Sequence, residues 1–426
     1  MALDGLCVAD HPASAERGPV GGSALPHDLR HLDRGVGVTG DRGDTARDRG
    51  IHTIRVDGLM ERLFQLVIAN ERRSPGLALL RSLTVPAAGA YGLLVGVRNC
   101  LFDKGVLPSW RPGCRVVSVG NLTVGGTGKT PMVAWLAGFL QGEGWRVAVV
   151  SRGYRGACGR RICVVSDGSR ILADVRLSGD EPQTLARRLP QVPVLCSARR
   201  ARAVASAVEE FEPQVVILDD GFQHRWLARD LDLVLLDARS PFGNGWLFPR
   251  GSLREVPSAL RRAQALVLSR FDGSLPAEVN RQELAKVWPE KAIVTATYRP
   301  DRLFEASTGR ERPLSSLAGV RAAAFAGIAK PEGFFRTLED VGARLVYSCA
   351  LPDHSPLSSA LLSNLILAAA VKEPELWLTT EKDWVRLPAT PSPAMNLWVL
   401  GIVLDLDENS SRFEDLVRKA LQSKPE

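Results

Sequence analysis

A glycine-rich segment that ends in lysine and threonine is the clearest place in this sequence where residue types and spacing could do chemistry. It runs from Gly120 to Thr130 and reads GNLTVGGTGKT. In such a loop, backbone N–H groups surround phosphates, the lysine neutralises their charge, and the threonine hydroxyl binds Mg²⁺. The segment therefore predicts a binding site for a nucleoside triphosphate. Its predicted nucleotide-binding residues are Thr123, Val124, Gly125, Gly126, Thr127, Gly128, Lys129 and Thr130.

One position departs from the P-loop pattern GxxxxGK[ST], which requires glycine where Thr123 stands. The alternative is a glycine-rich turn that binds no ligand. The flanking elements argue against that alternative. A strand over 115–119 and a helix over 131–140, with Pro131 in its first turn, are the context in which such loops bind phosphates.

Carboxylates at the end of an apolar strand supply the second chemical feature. The stretch 213–220 reads PQVVILDD and ends at Asp219 and Asp220. This is the form of a strand that holds Mg²⁺ in phosphoryl-transfer enzymes. Paired acids after a strand often serve only as caps, but the phosphate loop favours the metal-binding interpretation.

The elements that must position these residues alternate between strand and helix. Besides those already given, strands are predicted over 146–151 and 231–236, and helices over 183–189 and 198–211. Further strands are predicted over 320–328 and 377–380. The alternation indicates an α/β fold with a parallel sheet, whose ligand lies at the carboxyl ends of the strands.

An apolar stretch over 77–97 precedes the phosphate loop. A spanning helix needs about 20 apolar residues, and here Arg81 and Pro86 interrupt the run while Arg98 closes it. We therefore expect a helix that lies in a membrane interface, with neighbouring arginines meeting anionic headgroups. A buried helix packed against the domain remains the alternative.

The first 59 residues differ from the rest of the chain. They contain no Lys, Phe, Tyr or Trp, and they show no apolar periodicity. We expect residues 1–59 to form a disordered extension. Met60 begins an amphipathic pattern, which favours a start of translation there, so that the preceding stretch would come from a start codon assigned too far upstream. A genuine tail with a targeting or partner role is the alternative.

Charge and cysteine content limit the function classes. The chain carries a formal net charge of +7, and the first 59 residues are net acidic, so the remainder is the basic part. That balance suits an anionic partner such as a nucleotide, a phospholipid surface or nucleic acid, with ordinary solubility charge as the alternative. Seven cysteines without a CxxC pair indicate neither a disulfide framework nor a zinc ribbon, and they suit a reducing cytosol.

Taken together and in order, several motifs resemble those of one family, the tetraacyldisaccharide 4′-kinases or lipid A 4′-kinases (LpxK). The resemblance covers about residues 60–405, and threonine at position 123 is usual in that family. The motifs are GNLTVGGTGKTP from Gly120, SRGY from Ser151, GDEP from Gly179, DDGFQH from Asp219, PFGNG from Pro241, PRGSLRE from Pro249, GIAKPE from Gly327, and Asp353 with His354.

The resemblance implies a fold and a reaction. The fold is a P-loop core with a parallel sheet, a smaller C-terminal α/β domain and an N-terminal membrane-associated helix. After the extension over 1–59, which the resemblance does not cover, the implied divisions are the helical segment over 60–110, the P-loop core over 111–274 and the second domain over 275–426. The reaction is ATP- and Mg²⁺-dependent phosphorylation of the 4′-hydroxyl of tetraacyldisaccharide 1-phosphate.

The resemblance also implies a location and partners. The location is the cytoplasmic face of the bacterial inner membrane, in a peripheral or monotopic arrangement. The expected partners are the lipid A disaccharide precursor and the membrane surface, without nucleic acid. A monomer is compatible with the sequence.

The resemblance assigns roles to individual residues. Asp180 would be the general base for the sugar hydroxyl, and His354 would orient it across the cleft. Lys129 would neutralise phosphate charge. The predicted metal ligands are Thr130, Glu181, Asp219 and Asp220; Arg152, Arg250 and Arg254 would hold a substrate phosphate.

Purely structural interpretations remain for most of these residues. Asp180 with Glu181 is also typical of a helix N-terminus, and the arginines could be surface charge. His224 in the DDGFQH motif is interpreted as a structural residue that orients Asp220.

Two other functions fit parts of the sequence. One is a P-loop phosphotransferase for a soluble substrate, which would not need the apolar stretch over 77–97. The other is an ATP-dependent switch protein, which usually carries a second lysine early in the loop, whereas 122–126 has none.

Overall fold

The computed structural model describes residues 51–53, 75–388, 395–407 and 410–422. Most of the predicted extension and the amphipathic pattern that begins at Met60 lie outside these ranges. Residues 51–53 are an exception, because Ile51–Thr53 form a short strand, β1, which pairs in parallel with residues 348–350. At these three residues the structure therefore departs from the expected disordered extension.

The apolar stretch over 77–97 lies within one 29-residue helix, α1 (Pro75–Asp103), which contains Pro86. The helix runs on past Arg98, so neither the proline nor the arginine ends it. One face of α1 packs on residues 247–261. Arg98 and Asn99 each donate a hydrogen bond of 3.0 Å to the buried carboxylate of Glu255.

In residues 111–274, the P-loop half, the predicted strands and helices are found within a few residues of their predicted bounds, and the structure adds strands over 163–167, 193–196 and 265–269 and a short helix over 175–178, which were not predicted. The helix that follows the phosphate loop buries apolar side chains three or four residues apart, as expected for a helix with one face on a sheet. The elements are β2 (Arg115–Asn121), α2 (Lys129–Gly142), β3 (Val147–Ser151), β4 (Cys163–Asp167), α3 (Val175–Ser178), α4 (Asp180–Arg188), β5 (Pro193–Cys196), α5 (Arg200–Phe211), β6 (Val215–Asp219), β7 (Leu231–Asp237) and β8 (Ala265–Ser269).

Residues 275–426, the C-terminal half, repeat the alternation. Both strands predicted there are confirmed, as β11 and β13. The elements are α6 (Leu275–Val287), β9 (Ala292–Glu305), β10 (Glu311–Arg312), β11 (Arg321–Ala326), α7 (Pro331–Asp340), β12 (Arg344–Ala350), α8 (Ser359–Ala369), β13 (Leu376–Thr380), α9 (Glu381–Trp384), β14 (Leu397–Leu406) and α10 (Ser410–Gln422).

The strands of both halves belong to one sheet. Its order is β1-β12-β11-β13-β14-β9-β8-β7-β2-β6-β3-β5-β4, with β10 beside β9. The pairs are parallel except β4 with β5, β9 with β14 and β9 with β10. Strand β9 joins the halves, since it pairs with β8 over Ala292–Ala296 and with β14 over Ala296–Glu305.

The main apolar core also crosses the predicted division at residue 275. Phe413, Val417 and Leu421 of α10 pack in the same buried cluster as strands β2, β6 and β7. The α/β class, the P-loop core and the N-terminal helix are as predicted. The division of the chain at residue 275 stays a prediction.

Candidate active site

The phosphate loop connects β2 to the N-terminus of α2. Gly128 precedes the helix with a φ of 81°, and a Cβ there would lie 1.5 Å from the hydroxyl oxygen of Tyr298. Only glycine fits this combination of backbone conformation and close approach. Asn121 donates a 2.9 Å hydrogen bond to the Thr127 hydroxyl and so shapes the loop from within. Lys129 is the first residue of α2, beside the loop's N–H groups and the positive end of the helix dipole.

Asp219 ends β6, next to β2 in the sheet, where its carboxylate is buried. The Ser151 hydroxyl donates a 2.9 Å hydrogen bond to its Oδ2 atom. Its Oδ1 atom is buried with no hydrogen-bond partner among the described residues. Burial and the neighbouring charges of Glu181 and Asp220 raise the pKa of Asp219, although Lys129 acts in the opposite direction.

Asp220 has left-handed backbone geometry, with a φ of 56°, and turns its side chain toward cations. One guanidinium nitrogen of Arg254 lies 2.7 and 2.9 Å from its two carboxylate oxygens, and Lys129 Nζ lies 3.5 Å from Oδ1. Burial opposes ionisation, but Lys129, Arg254 and Arg200 outweigh it and hold the pKa of Asp220 well below its usual range.

Asp180 is the first residue of α4 and is almost completely buried. Its Oδ1 accepts the backbone N–H of Glu181 at 2.9 Å, and its Oδ2 lies 2.6 Å from Nδ1 of His354. Burial raises the pKa of Asp180, but the hydrogen bond from His354 and the charges of Lys382 and Arg386 outweigh it, so the pKa is lowered overall. The structure thus brings together Asp180 and His354, which are 174 residues apart.

Parallel strands explain why His354 lies beside Gly327 and Lys382. Strands β12, β11 and β13 are neighbours, so the residues that follow them share one edge of the sheet. Those residues are Gly327 after β11, Asp353 and His354 after β12, and Lys382 after β13.

Lys382 and Arg386 touch this site, and the sequence reasoning missed both. Lys382 Nζ lies 2.9 Å from Asp353 Oδ1 and 3.3 Å from His354 Nε2. Arg386 Nε lies 3.8 Å from Asp180 Oδ2. The sequence did contain a signal for both residues. Charged residues in the stretch EKDWVR directly follow the strand predicted over 377–380, much as Asp219 stands at the end of another predicted strand.

A cavity of about 630 Å³ separates the two halves at this edge. One wall consists of the phosphate loop with Lys129, Thr130 and Glu181, and the other includes Asp353 and Lys382. The lining also includes the cationic side chains of Lys330 and Arg270. Lys330 Nζ and Arg270 Nη1 lie 2.9 and 2.7 Å from Asp237 Oδ2. The cavity therefore has the phosphate-binding loop on one wall, and it lies beside the Asp180–His354 pair, whose neighbours Glu181, Asp353 and Lys382 line it.

The three predicted substrate arginines lie in different surroundings. Arg254 is paired with Asp220. Arg152 is exposed and lies near His224. Burial lowers the pKa of His224 to about 4, and the charges of Arg200, Arg229 and Arg152 contribute in the same direction. The guanidinium of Arg250 lies 5.2 Å from the ring centre of Trp246. Arg200, a buried residue that the sequence reasoning also missed, begins α5.

The oxygen ligands around Asp219 suit Mg²⁺. Carboxylate and hydroxyl oxygens are what this cation prefers, and the unpartnered Oδ1 of Asp219 leaves an acceptor for it or its water. Across the described ranges no group of three or more His, Cys, Asp or Glu side chains could hold a metal ion alone. Mg²⁺ in phosphoryl-transfer sites is typically held by one or two carboxylates plus phosphates, so the donor set fits.

Comparison with known proteins decides the family. Residues 80–422 match the model of the family described as tetraacyldisaccharide-1-P 4′-kinase, LpxK. The chain belongs to this family. A tetraacyldisaccharide 4′-kinase of Anaeromyxobacter dehalogenans (strain 2CP-C) is 45% identical over 326 residues, 76% of this chain and 86% of that relative. One of Syntrophus aciditrophicus (strain SB) is 40% identical over 358 residues, 82% of this chain and 94% of that relative.

A solved structure of the family has the same fold. It is the crystal structure of LpxK from Aquifex aeolicus, in complex with ATP. That chain is 31% identical, with a TM-score of 0.65, and the match covers 80% of this chain and 99% of that one.

Proposed function

We propose that this chain transfers the γ-phosphoryl group of ATP to the 4′-hydroxyl of tetraacyldisaccharide 1-phosphate, a step of lipid A biosynthesis. Membership of the LpxK family makes the chain a kinase with an alcohol acceptor and ATP as donor. The observation that carries the residue assignments is the 2.6 Å contact of Asp180 with His354 beside the cavity of the phosphate loop.

Asp180 is the proposed general base. An alcohol attacks phosphorus efficiently only when its proton has an acceptor. The Asp180 carboxylate takes the proton of the 4′-hydroxyl while the sugar oxygen bonds to the γ-phosphorus and the bond to ADP breaks. His354 is a positioning residue in this scheme, since it contacts Oδ2 of the carboxylate.

Lys129 and Thr130 hold the phosphates and their metal ion. The Lys129 ammonium supplies positive charge where the transition state gathers negative charge. Asp220 and Arg254 keep that ammonium in place through the contacts given above.

Thr130, Glu181 and Asp219 are the oxygen ligands that would hold Mg²⁺, while Asp220, also predicted as a ligand, is engaged by Arg254 and Lys129. Bound Mg²⁺ supplies charge neutralisation on the β- and γ-phosphates. Burial is the largest cause of the raised pKa of Asp219, and the like charge of Glu181 raises it further, a repulsion that a divalent cation would relieve.

Helix α1 is the proposed contact with the cytoplasmic face of the inner membrane. Residues 81–103 are long and apolar enough to cross a membrane by length and composition alone. Leu83, Leu93 and Leu94 are 67%, 69% and 71% exposed, which argues for an interface rather than a buried position. The opposite face is anchored beside the catalytic cleft, since Tyr91 donates a 3.0 Å hydrogen bond to the carbonyl of Arg254.

The test follows γ-phosphate transfer from labelled ATP to three acceptors: tetraacyldisaccharide 1-phosphate, its deacylated form, and none. We expect a labelled lipid product and lipid-dependent ADP release, both lost in Lys129→Ala. Equal use of the deacylated acceptor would replace the proposal with a soluble-substrate kinase. ADP release at the same rate with either acceptor and without one would indicate an ATP-dependent switch.

A further inference from the structure

The two nitrogen atoms of the His354 ring face groups of opposite hydrogen-bonding character. Nδ1 lies 2.6 Å from a carboxylate oxygen of Asp180, which as an ionised group only accepts hydrogen bonds. Nε2 lies 3.3 Å from the Lys382 ammonium, which only donates. The nearest carboxylate oxygen to Nε2, Oδ1 of Asp353, is 3.7 Å away and beyond good hydrogen-bond distance.

Both contacts select the same tautomer of the neutral imidazole. A proton on Nδ1 satisfies Asp180, and a lone pair on Nε2 satisfies Lys382. The other tautomer would turn a lone pair toward the carboxylate and an N–H toward the ammonium, so both contacts would be repulsive. Which nitrogen carries the proton is set by the hydrogen bond that the other nitrogen makes.

We propose that Lys382 is a positioning residue for the phosphoryl transfer, which holds His354 in the Nδ1–H tautomer so that His354 donates to Asp180. The proposal rests on the proposed role of Asp180 as the base. Lys382 also lines the cavity, so the role that competes with this one is direct contact with the nucleotide.

Three further hydrogen bonds fix Lys382 and the loop of His354 relative to each other. Lys382 donates to Asp353 at 2.9 Å, so its ammonium is tied to the residue before the histidine. Arg386, one turn after Lys382, donates to the carbonyls of Gly327 at 2.8 Å and Ser355 at 3.1 Å. The loop thereby holds His354 at a φ of 62°, a left-handed conformation that needs such support.

The segment of Lys382 is in turn tied to the helix of Asp180. Glu381, just before Lys382, pairs with Arg188 near the end of α4 and accepts a 2.6 Å hydrogen bond from Arg302. Lys382 therefore approaches His354 from an element that is fixed to α4, whose first residue is Asp180.

The test compares Lys382→Met, which keeps the length of the side chain without its charge, with Lys382→Arg, which restores a donor. Lys372→Met is the matched control, because Lys372 is an exposed lysine of the same half. We expect kcat of Lys382→Met to fall about 10- to 100-fold with little change in the KM for ATP, partial recovery in Lys382→Arg, and no change in the control. A raised KM for ATP with unchanged kcat would overturn the proposal and make Lys382 a nucleotide ligand.

Nitrogen-15 NMR of the histidine rings gives a readout that does not depend on turnover. The signal of His354 is assigned by its loss in His354→Gln. We expect the Nδ1–H tautomer in the unaltered chain and a shift toward Nε2–H in Lys382→Met. An Nε2–H ring in the unaltered chain would refute the proposal.

Failure of this proposal is distinguishable from failure of the proposed function. An active enzyme that loses turnover in Asp180→Asn, but keeps it in Lys382→Met, leaves the kinase assignment intact and removes only the role of Lys382.

Discussion

Replacing Asp180 by asparagine separates its catalytic role from its structural one. In the native site both carboxylate oxygens accept hydrogen bonds, Oδ2 from His354 and Oδ1 from the Glu181 N–H. An asparagine offers one oxygen and one NH₂ group, so one of these two donors must face another donor. A buried donor without an acceptor costs about 1–3 kcal/mol of stability.

The catalytic effect is larger, because asparagine cannot take the hydroxyl proton. Loss of a general base lowers kcat by ~10²–10⁴, or about 2.7–5.4 kcal/mol in activation free energy. The KM for ATP should change little, since the wall of the cavity includes Glu181 but not Asp180. His354→Ala alone should cost less, and adding it to Asp180→Asn should lower kcat little further, because the two side chains act as one unit.

The assay combines steady-state kinetics with the free energy of unfolding from denaturant titration. Asp174→Asn is the control. Asp174 is an exposed acid six residues before Asp180, and it caps the N-terminus of α3, a role that asparagine can also fill. Turnover of Asp180→Asn is then measured against Mg²⁺ concentration. Recovery of rate with added Mg²⁺ would refute the general-base assignment and make Asp180 a metal ligand, with Asp220 the next candidate for the base.

Three further predictions concern the loop and the helix. Lys129→Ala should lower kcat at least tenfold, worth about 1.4 kcal/mol, by removing positive charge from the transition state; a smaller loss in the kinase assay would contradict the P-loop assignment. Gly128→Ala should weaken ATP binding, measured by calorimetry, because the new Cβ would clash with the Tyr298 hydroxyl and because a φ of 81° is unfavourable for alanine. Unchanged affinity would show that the loop relaxes at no cost. Leu93→Glu with Leu94→Glu should reduce co-sedimentation with anionic vesicles and raise the KM for the lipid more than that for ATP, whereas unchanged sedimentation would rule out α1 as the membrane contact.

Much of the fold could be predicted because its signals are local. Strand β6 is a continuous apolar run that ends in acids, as expected for a strand covered on both faces, and its bounds differ little from the predicted ones. The single sheet was not predicted, because it depends on the pairing of β9 with β14, which lies about a hundred residues later in the chain. Helix α1 also runs through Pro86, where the sequence indicated an interruption.

The candidate site likewise contains features that the local sequence predicts and contacts that depend on the tertiary structure. The types and spacing of residues determined the phosphate loop with Lys129 and Thr130, and they placed Asp219 at the end of a strand, because these features depend on the backbone within a few residues. Only the tertiary structure decided that Asp220 pairs with Arg254 and that Lys382 reaches His354. Those contacts join residues that come together only because of the order of strands in the sheet, and strand order depends on the packing of the whole chain rather than on any local pattern.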